Sequence, residues 1–233
     1  MAPTVLVVDD APEIRTLLRT YLEAEGMAVL TAGTGEEAVR LAAEGRPDVV
    51  LLDLGLPDLS GLDVLGRIRA TSSVYVIVVT ARAEEVDKIV SLSLGADDYI
   101  VKPFSPREVV ARVHAMMRRP RTDDGGRARD ETLRFDDLTI DPATREVTLA
   151  GRPVTLSALD FDLLLALAGK PGRVFSRAQL LEQVWGYAFY GDERVVDVHI
   201  RTIRAALGDD GTALVGTVRG VGYRFLGTPA RTP

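Results

Sequence analysis

As far as Arg119, short apolar runs alternate five times with longer segments in which apolar residues recur every three or four positions. The runs Val5–Val8, Ala28–Thr31, Val49–Asp53, Val74–Thr80 and Tyr99–Val101 predict strands. The segments Pro12–Glu25, Glu36–Glu44, Asp63–Ala70, Glu84–Leu94 and Pro106–Arg118 predict helices, and Pro12 suits a first helical turn, where its missing N–H is no loss. The third and fourth runs are apolar without alternation, as strands covered on both faces are. Buried strands separated by helices predict a doubly wound α/β domain over residues 1–119, with a five-stranded parallel sheet.

Residues 120–131 (PRTDDGGRARDE) are polar, centre on Gly125-Gly126 and offer nothing to bury, which predicts a flexible linker. From 132 to 228 the pattern changes to an α+β domain. Leu133–Ile140 and Glu146–Leu149 predict strands joined by the turn Asp141-Pro142-Ala143-Thr144. A helix is expected over Ala158–Ala168 with Ser157 as its N-cap and Pro171-Gly172 beyond its end. Ser176 caps a second helix, to about Trp185, and a third runs from about Glu193 to Leu207, ahead of Gly208. Leu214–Val218 and Tyr223–Leu226 predict a closing hairpin around Arg219-Gly220-Val221-Gly222, with residues 229–233 as a tail.

The chain has no cysteine and two histidines, His114 and His199, far apart, so disulfides, thiolate chemistry and a histidine metal cluster are excluded. No apolar run approaches the ~18 residues that span a bilayer. The N-terminus enters an apolar strand without a basic patch, which does not read as a signal peptide, and a cytoplasmic address is expected. The net charge of −6 argues, taken whole, against a nucleic-acid partner. The division of charge alters that. Residues 1–122 hold 14 Lys+Arg against 18 Asp+Glu, a net of −4, whereas residues 171–226 hold 7 Arg against 6 Asp+Glu, a net of +1. The arginines of the second half are clustered, so binding there would rest on local charge.

In a sheet of this kind ligands sit outside the carboxyl ends of the strands. Those ends carry Asp9-Asp10, Asp53, Thr80 and Lys102. Singly, an Asp-Asp pair is a turn, a strand-end Thr is structural and Lys102-Pro103 is a loop. Together, four strand ends bring three carboxylates, a hydroxyl and an ammonium to one spot. Three carboxylates raise one another's pKa, and a hard divalent cation such as Mg²⁺ relieves the repulsion. Asp53 can then act as a carboxylate nucleophile toward phosphorus, with Thr80 and Lys102 stabilising the phosphoryl oxygens.

These stretches (VLVVDD, VVLLDLGLPDLSGLDVL, VTAR and GADDYIVKPF) resemble the receiver domain of two-component response regulators. The resemblance implies that Asp9 and Asp10 hold Mg²⁺ with Asp53 and the carbonyl of Gly55, and that Asp53 is phosphorylated by a sensor histidine kinase. It further implies that Thr80 and Tyr99 form a switch pair and that Lys102, before a typically cis proline bond, contacts the phosphoryl group. Gly55 stands where many relatives carry Met, leaving the carbonyl less shielded. Such receivers form homodimers on phosphorylation through charge-complementary surfaces. The matching positions are Lys88, Asp97, Asp98, Glu108, Arg112 and Arg119 around apolar Ile89, Leu92 and Ala111.

In the helix expected near Glu193–Leu207, Val196, Ile200, Ile203 and Leu207 share one sector, with Arg194, Val198, Arg201 and Ala205 opposite and Asp197, Thr202 and Arg204 flanking. Such a helix is commonly a plain surface helix, but its size also fits a major groove, where arginine bonds phosphate or guanine. Arg219 at the Gly-rich hairpin tip would suit a minor groove. The stretches FDLLLALAGKPGRVFSRAQLLEQVWG, ERVVDVHIRTIRAAL and TVRGVGYRF resemble the winged-helix output domain of the OmpR/PhoB family. That implies duplex DNA as partner, with contacts from Arg194, His199, Arg201, Thr202, Arg204 and, on the wing, Arg219, and RNA polymerase as a further partner. Thr202 and Ala205 depart from the Arg or Lys of many relatives.

The expected function is a transcription regulator, not an enzyme beyond self-catalysed phosphotransfer and slow autodephosphorylation, that binds repeated promoter half-sites as a dimer. A phosphohydrolase using an aspartyl-phosphate would need a second-step acid, and none stands just beyond Asp53. A DNA binder with a vestigial pocket is opposed by the complete acidic set.

Overall fold

A computed structural model describes residues 2–81, 92–117, 132–186 and 193–230, divided between two units, Met1–Met117 and Arg118–Pro233. Most of the predicted helix Glu84–Leu94, with Lys88 and Ile89, lies outside the described residues, as do Arg119 and the predicted linker.

In the first unit five parallel strands, β1 (Thr4–Val8), β2 (Ala28–Ala32), β3 (Val49–Leu52), β4 (Tyr75–Thr80) and β5 (Asp98–Val101), take the order β2-β1-β3-β4-β5. Register pairs Val5 with both Val29 and Val49, and Val50 with Val76. Val5–Val8, Val49–Leu52 and Val76–Val79 are all buried, which is why those runs carry no polar alternation. The helices are α1 (Pro12–Ala24), α2 (Gly35–Gly45), α3 (Gly61–Arg69) and α4 (Pro106–Met117). The chain steps from β1 to β2 in one direction and from β2 onward in the other. Right-handed crossovers therefore put α1 and α2 on opposite faces. α1 packs on α4, and α2 on α3.

Local chemistry sets the helix starts. Thr34 Oγ1 accepts from Glu37 N at α2 (3.3 Å), and Ser60 Oγ accepts from Leu62 N at α3 (3.3 Å). Asp58, on the loop after β3, accepts from Gly35 N (2.7 Å) and Glu36 N (3.0 Å), tying that loop to α2. Those amides, Glu36 first and then Gly35, lower the Asp58 pKa. At the far end of the sheet, Arg69 donates to Asp97 Oδ2 (2.6 Å) and Gly95 O (2.7 Å), while Asp97 Oδ2 also accepts from Val76 N (2.7 Å).

The second unit opens with an antiparallel sheet, β6 (Leu133–Arg134), β7 (Leu138–Asp141), β8 (Glu146–Leu149) and β9 (Arg152–Val154). Two features differ from the sequence reading. The single strand expected over Leu133–Ile140 is two, because Phe135 N bonds Leu138 O (2.8 Å) and the chain turns at Asp136-Asp137. Strand β9 was not foreseen: three residues long and containing Pro153, it forms an edge, where a missing N–H costs no ladder bond. Ala150 and Gly151 join it to β8 at φ of 49° and 74°. The turn Asp141–Thr144 is as predicted, with Asp141 Oδ1 accepting from Ala143 N (2.9 Å) and Thr144 N (3.2 Å).

Helices α5 (Ala158–Ala168), α6 (Arg177–Leu180, continued by a wider π-type turn Leu181–Trp185) and α7 (Arg194–Ala206) form the middle layer. A short 3₁₀ turn, Gly208–Asp210, leads into α8 (Gly211–Leu214). Ser176 and Gln179 close a reciprocal capping box at α6. β11 (Val215–Val218) and β12 (Gly222–Phe225) form the predicted hairpin, and β10 (Phe175–Ser176) adds a third strand. Gly222 permits that pairing, since a Cβ there would lie 2.0 Å from Phe175 O.

Gly61 has the same role below Asp53: an added Cβ would stand 2.4 Å from Leu54 Cα and 2.5 Å from Asp53 O, both backbone atoms. Gly61→Ala should destabilise the first unit by roughly 1–3 kcal/mol, the cost of forcing extra volume into a packed site. A chemical-denaturation midpoint equal to that of the parent chain would show that the loop yields freely.

Candidate functional site

The strand order places the carboxyl ends of β1, β3, β4 and β5 side by side, so residues distant in sequence meet at one edge. Asp9 and Asp10 follow β1, Asp53 follows β3, Thr80 ends β4 and Lys102 follows β5. One carboxylate oxygen from each of Asp9, Asp10 and Asp53 lies within 4.8 Å of the others. Asp9 (2% exposed) and Asp53 (7%) are buried, whereas Asp10 is exposed. Lys102 Nζ stands 2.6 Å from Asp9 Oδ2 and 2.6 Å from Asp53 Oδ2.

The other oxygen of each of these two carboxylates also accepts from the chain. Ala11 N donates to Asp9 Oδ1 (3.0 Å) and Gly55 N to Asp53 Oδ1 (3.2 Å). Arg15, in the first turns of α1, donates to the carbonyls of Asp9 (2.6 Å) and Asp10 (2.8 Å), clamping the acidic loop. Sequence reading missed Arg15, although an arginine on the first turns of the following helix was a usable signal. Thr80 is buried, and its carbonyl accepts from Lys102 N (2.8 Å). Tyr99 is half-buried, and the Lys102–Pro103 bond is cis. At Gly55 an added Cβ would sit 3.9–4.0 Å from the Asp53 oxygens, an ordinary contact, so the missing side chain leaves the site open on that side.

Desolvation, the largest influence on Asp9, raises its pKa despite the hydrogen bond and charge of Lys102. For Lys102, desolvation is again the largest single influence and pulls downward. The hydrogen bonds and charges of Asp53 and Asp9 together outweigh it, so its pKa is raised. Three acids with converging oxygens form a hard donor set that fits Mg²⁺, with Asp9, Asp10 and Asp53 as its holders.

The charged positions expected on a dimer surface are held within one chain. Asp97 has no exposed surface and is engaged by Arg69 and Val76. Arg112, itself buried, donates to Asp98 Oδ2 (2.7 Å) and Glu108 Oε1 (2.9 Å). Desolvation pulls the Arg112 pKa down, but these carboxylates raise it overall. Leu92 is buried and Ala111 half-buried. Asp97, Asp98 and Arg112 thus each hold a bond within the chain, which ties β5 to α3 and α4.

On α7 the structure sorts the expected DNA contacts. Arg194 and Arg201 are exposed, as are Ala205 and, on the wing, Arg219. His199 has no exposed surface, and this corrects its expected role. Its Nδ1 lies 2.8 Å from Asp160 Oδ1, its ring packs edge-on against Trp185 (5.4 Å), and Ser157 Oγ donates to Asp160 Oδ2 (3.0 Å). Val198 is buried as well, although helical projection put it opposite the apolar stripe. Arg204 is half-buried and faces the wing, donating to Val215 O (2.9 Å) and Thr217 Oγ1 (2.8 Å). Asp197, read only as a flanking residue, joins three elements: its Oδ1 accepts from Arg177 Nε (2.7 Å) of α6 and from Tyr223 Oη (2.7 Å) of β12. The Tyr223 pKa is raised by desolvation and then by that bond to Asp197.

The family model for the response regulator receiver domain matches residues 5–114, and that for the C-terminal domain of transcriptional regulatory proteins matches residues 151–225. The DNA-binding response regulator MtrA of Mycolicibacterium smegmatis is 44% identical over 226 residues, covering 96% of this chain and 97% of its own. The transcriptional regulatory protein SrrA of Staphylococcus aureus is 41% identical over 232 residues, covering 97% and 96%. Among solved structures, the response regulator DrrB, an OmpR/PhoB homolog of Thermotoga maritima, is 35% identical with a TM-score of 0.52, covering 97% of this chain and all of its own (100%). A mutant of RitR is 27% identical with a TM-score of 0.78, covering 96% and 99%.

Two outcomes are expected from this geometry. An acid whose pKa rises above 3.8 on folding holds its proton more tightly in the folded state, so its contribution to stability falls as pH climbs through that window. Without divalent metal, Asp9→Asn should therefore melt above the parent chain at neutral pH, by an amount that shrinks as pH is lowered toward 3.8. Mg²⁺ should raise the parent's melting temperature and leave the variant's nearly unchanged. A variant that melts lower throughout, or gains equally from Mg²⁺, contradicts this reading. Separately, Arg112→Glu should cost about 3 kcal/mol by leaving Asp98 buried against a like charge, measured by denaturant unfolding.

Proposed function

Because the chain belongs to the OmpR/PhoB family of two-component response regulators, DNA-binding transcription regulators built from a receiver and an output domain, we propose that its DNA binding is switched by transfer of one phosphoryl group to Asp53. The observation that carries this is Lys102 Nζ at 2.6 Å from both Asp9 and Asp53, one ammonium between two buried carboxylates beside an open position at Gly55. An Asp53 oxygen donates its electron pair to the phosphorus of a kinase phosphohistidine; the O–P bond forms, the P–N bond breaks and the imidazole nitrogen keeps the pair. Lys102 leaves its carboxylate bridge for an oxygen of the transferred group, and the Thr80 hydroxyl donates to another. Asp9, Asp10, Asp53 and the Gly55 carbonyl would hold Mg²⁺, which would supply charge neutralisation when bound. Arg15 keeps the acidic loop in place.

Thr80 and Tyr99 transmit the change, and phosphorylated receivers pair. Pairing uses the surface of Lys88, Ile89, Leu92, Asp97, Asp98, Glu108, Ala111, Arg112 and Arg119, where Asp97, Asp98 and Arg112 also hold bonds within their own chain. Two linked output domains then bind half-sites about one helical turn apart, ~10–11 base pairs, because the second contact becomes intramolecular. Arg201 and Arg194 face the major groove and Arg219 the minor groove. RNA polymerase completes the partners of a cytoplasmic regulator.

The test combines mass, sedimentation and selection. With Mg²⁺ and a small acyl phosphate, the parent chain should gain one phosphoryl group and Asp53→Asn none. The phosphorylated chain should sediment as a dimer and select repeated half-sites from random DNA. Phosphorylation of Asp53→Asn, multiple turnover of the donor as a hydrolase, or equal selection of single sites by both forms would overturn the proposal.

A further inference from the structure

The side chains of α7 left for a duplex are few. Val195, Val196, Val198, His199, Ile200 and Ile203 are buried. Asp197 and Arg204 are committed to the wing on one flank. What faces outward is Arg194, Arg201, Ala205 and, at the last position, Ala206, with Thr202 half-buried on the flank away from the wing.

Thr202 Oγ1 donates to Val198 O, one turn back, at 3.3 Å. The hydroxyl proton is thus spent on the backbone, a common arrangement for threonine within a helix. With Oγ1 turned back along the helix, in one of the two rotamers open to a helical threonine, the γ-methyl is the part of the side chain left for a neighbour. Beside it, one turn on, stands the bare methyl of exposed Ala205. The cations lie on the other side of this pair. A base edge meeting position 202 therefore finds an apolar group and no strong donor. In the major groove the complement of such a group is the C5-methyl of thymine, the one apolar feature a base pair presents there.

We infer that Thr202 is a specificity-determining residue that reads a thymine methyl through its own γ-methyl, in a half-site where Arg201 supplies the polar contact. This rests on the proposed DNA-binding function and adds a chemical criterion to it. Guanine at the position opposite Thr202 gains nothing, because its N7 and O6 accept hydrogen bonds and Thr202 has no donor to spare.

The probe is the duplex selected from random DNA by the phosphorylated full chain. It is resynthesised with deoxyuridine in place of each half-site thymidine in turn, which removes a single methyl and preserves every hydrogen bond. For the parent chain, one such position should weaken binding about fourfold, the equivalent of ~0.8 kcal/mol for burying one carbon. Thr202→Val, which keeps the methyl, should retain that discrimination. Thr202→Ser, which keeps the hydroxyl and loses the methyl, should bind the thymidine and deoxyuridine duplexes alike, and circular dichroism should show both variants folded. If no deoxyuridine position matters, or Thr202→Ser discriminates as the parent does, the inference is wrong while the DNA-binding function stands. If the phosphorylated chain selects no sequence at all, the function itself fails and this inference with it.

Discussion

Asp9 and Asp53 are carried by the sheet to a place where they are 2% and 7% exposed, and Lys102 meets both at 2.6 Å. Two carboxylates so close to each other and so far from water repel, and a cation must accompany them. In the metal-free chain that cation is the lysine. The strand order, the clamp of Arg15 on the Asp9 and Asp10 carbonyls, and the Gly61 contact beneath Asp53 are what make so costly an arrangement hold its shape. Lys102 is thus the one ammonium placed between the two buried acids.

The second unit manages its polar interior differently. Asp160 is buried at the start of α5, and Ser157 and His199 supply its partners from the same unit. Asp197 serves α6, α7 and β12 at once through Arg177 and Tyr223. Buried hydrogen bonds of this kind hold together the elements that they join. The consequence is that α7 is fixed to the wing, with Arg204 closing the same seam against Val215 and Thr217. On α7 itself, Arg194, Arg201, Ala205 and Ala206 remain exposed.

The cluster along β5 and α4 shows how the same residue types can serve either a fold or an interface. The Arg112 side chain is 8% exposed and that of Asp98 1%. Their bond sets one buried charge against the other, which offsets the cost of taking both out of water. Glu108, at 34% side-chain exposure, is the member with surface to offer. Any pairing of receivers on this side must then depend more on apolar contact than on these charges, since exposed ion pairs contribute only ~0–1 kcal/mol each.

Periodicity and strand-end chemistry made much of this legible from the sequence alone. The five parallel strands, the capping residues Ser157 and Ser176, and the acidic site at Asp9, Asp10, Asp53 and Lys102 follow from local pattern joined to one topological rule, that strand ends of a doubly wound sheet converge. The short elements did not follow. Strand β9 carries a proline, and β10 spans two residues, so each exists only because a partner strand is there to pair with it. Burial was the other thing beyond reach. His199 and Arg112 are polar residues on helices whose other faces are wet, and helical projection cannot tell which neighbour covers them. Only the packed structure brings Asp160 to His199 from 39 residues away and Asp98 to Arg112 from 14. A polar side chain is driven inward by such a partner and by nothing in its own stretch of sequence, which is why the composition of each helix was readable in advance and the assignment of its polar residues to core, seam or groove was not.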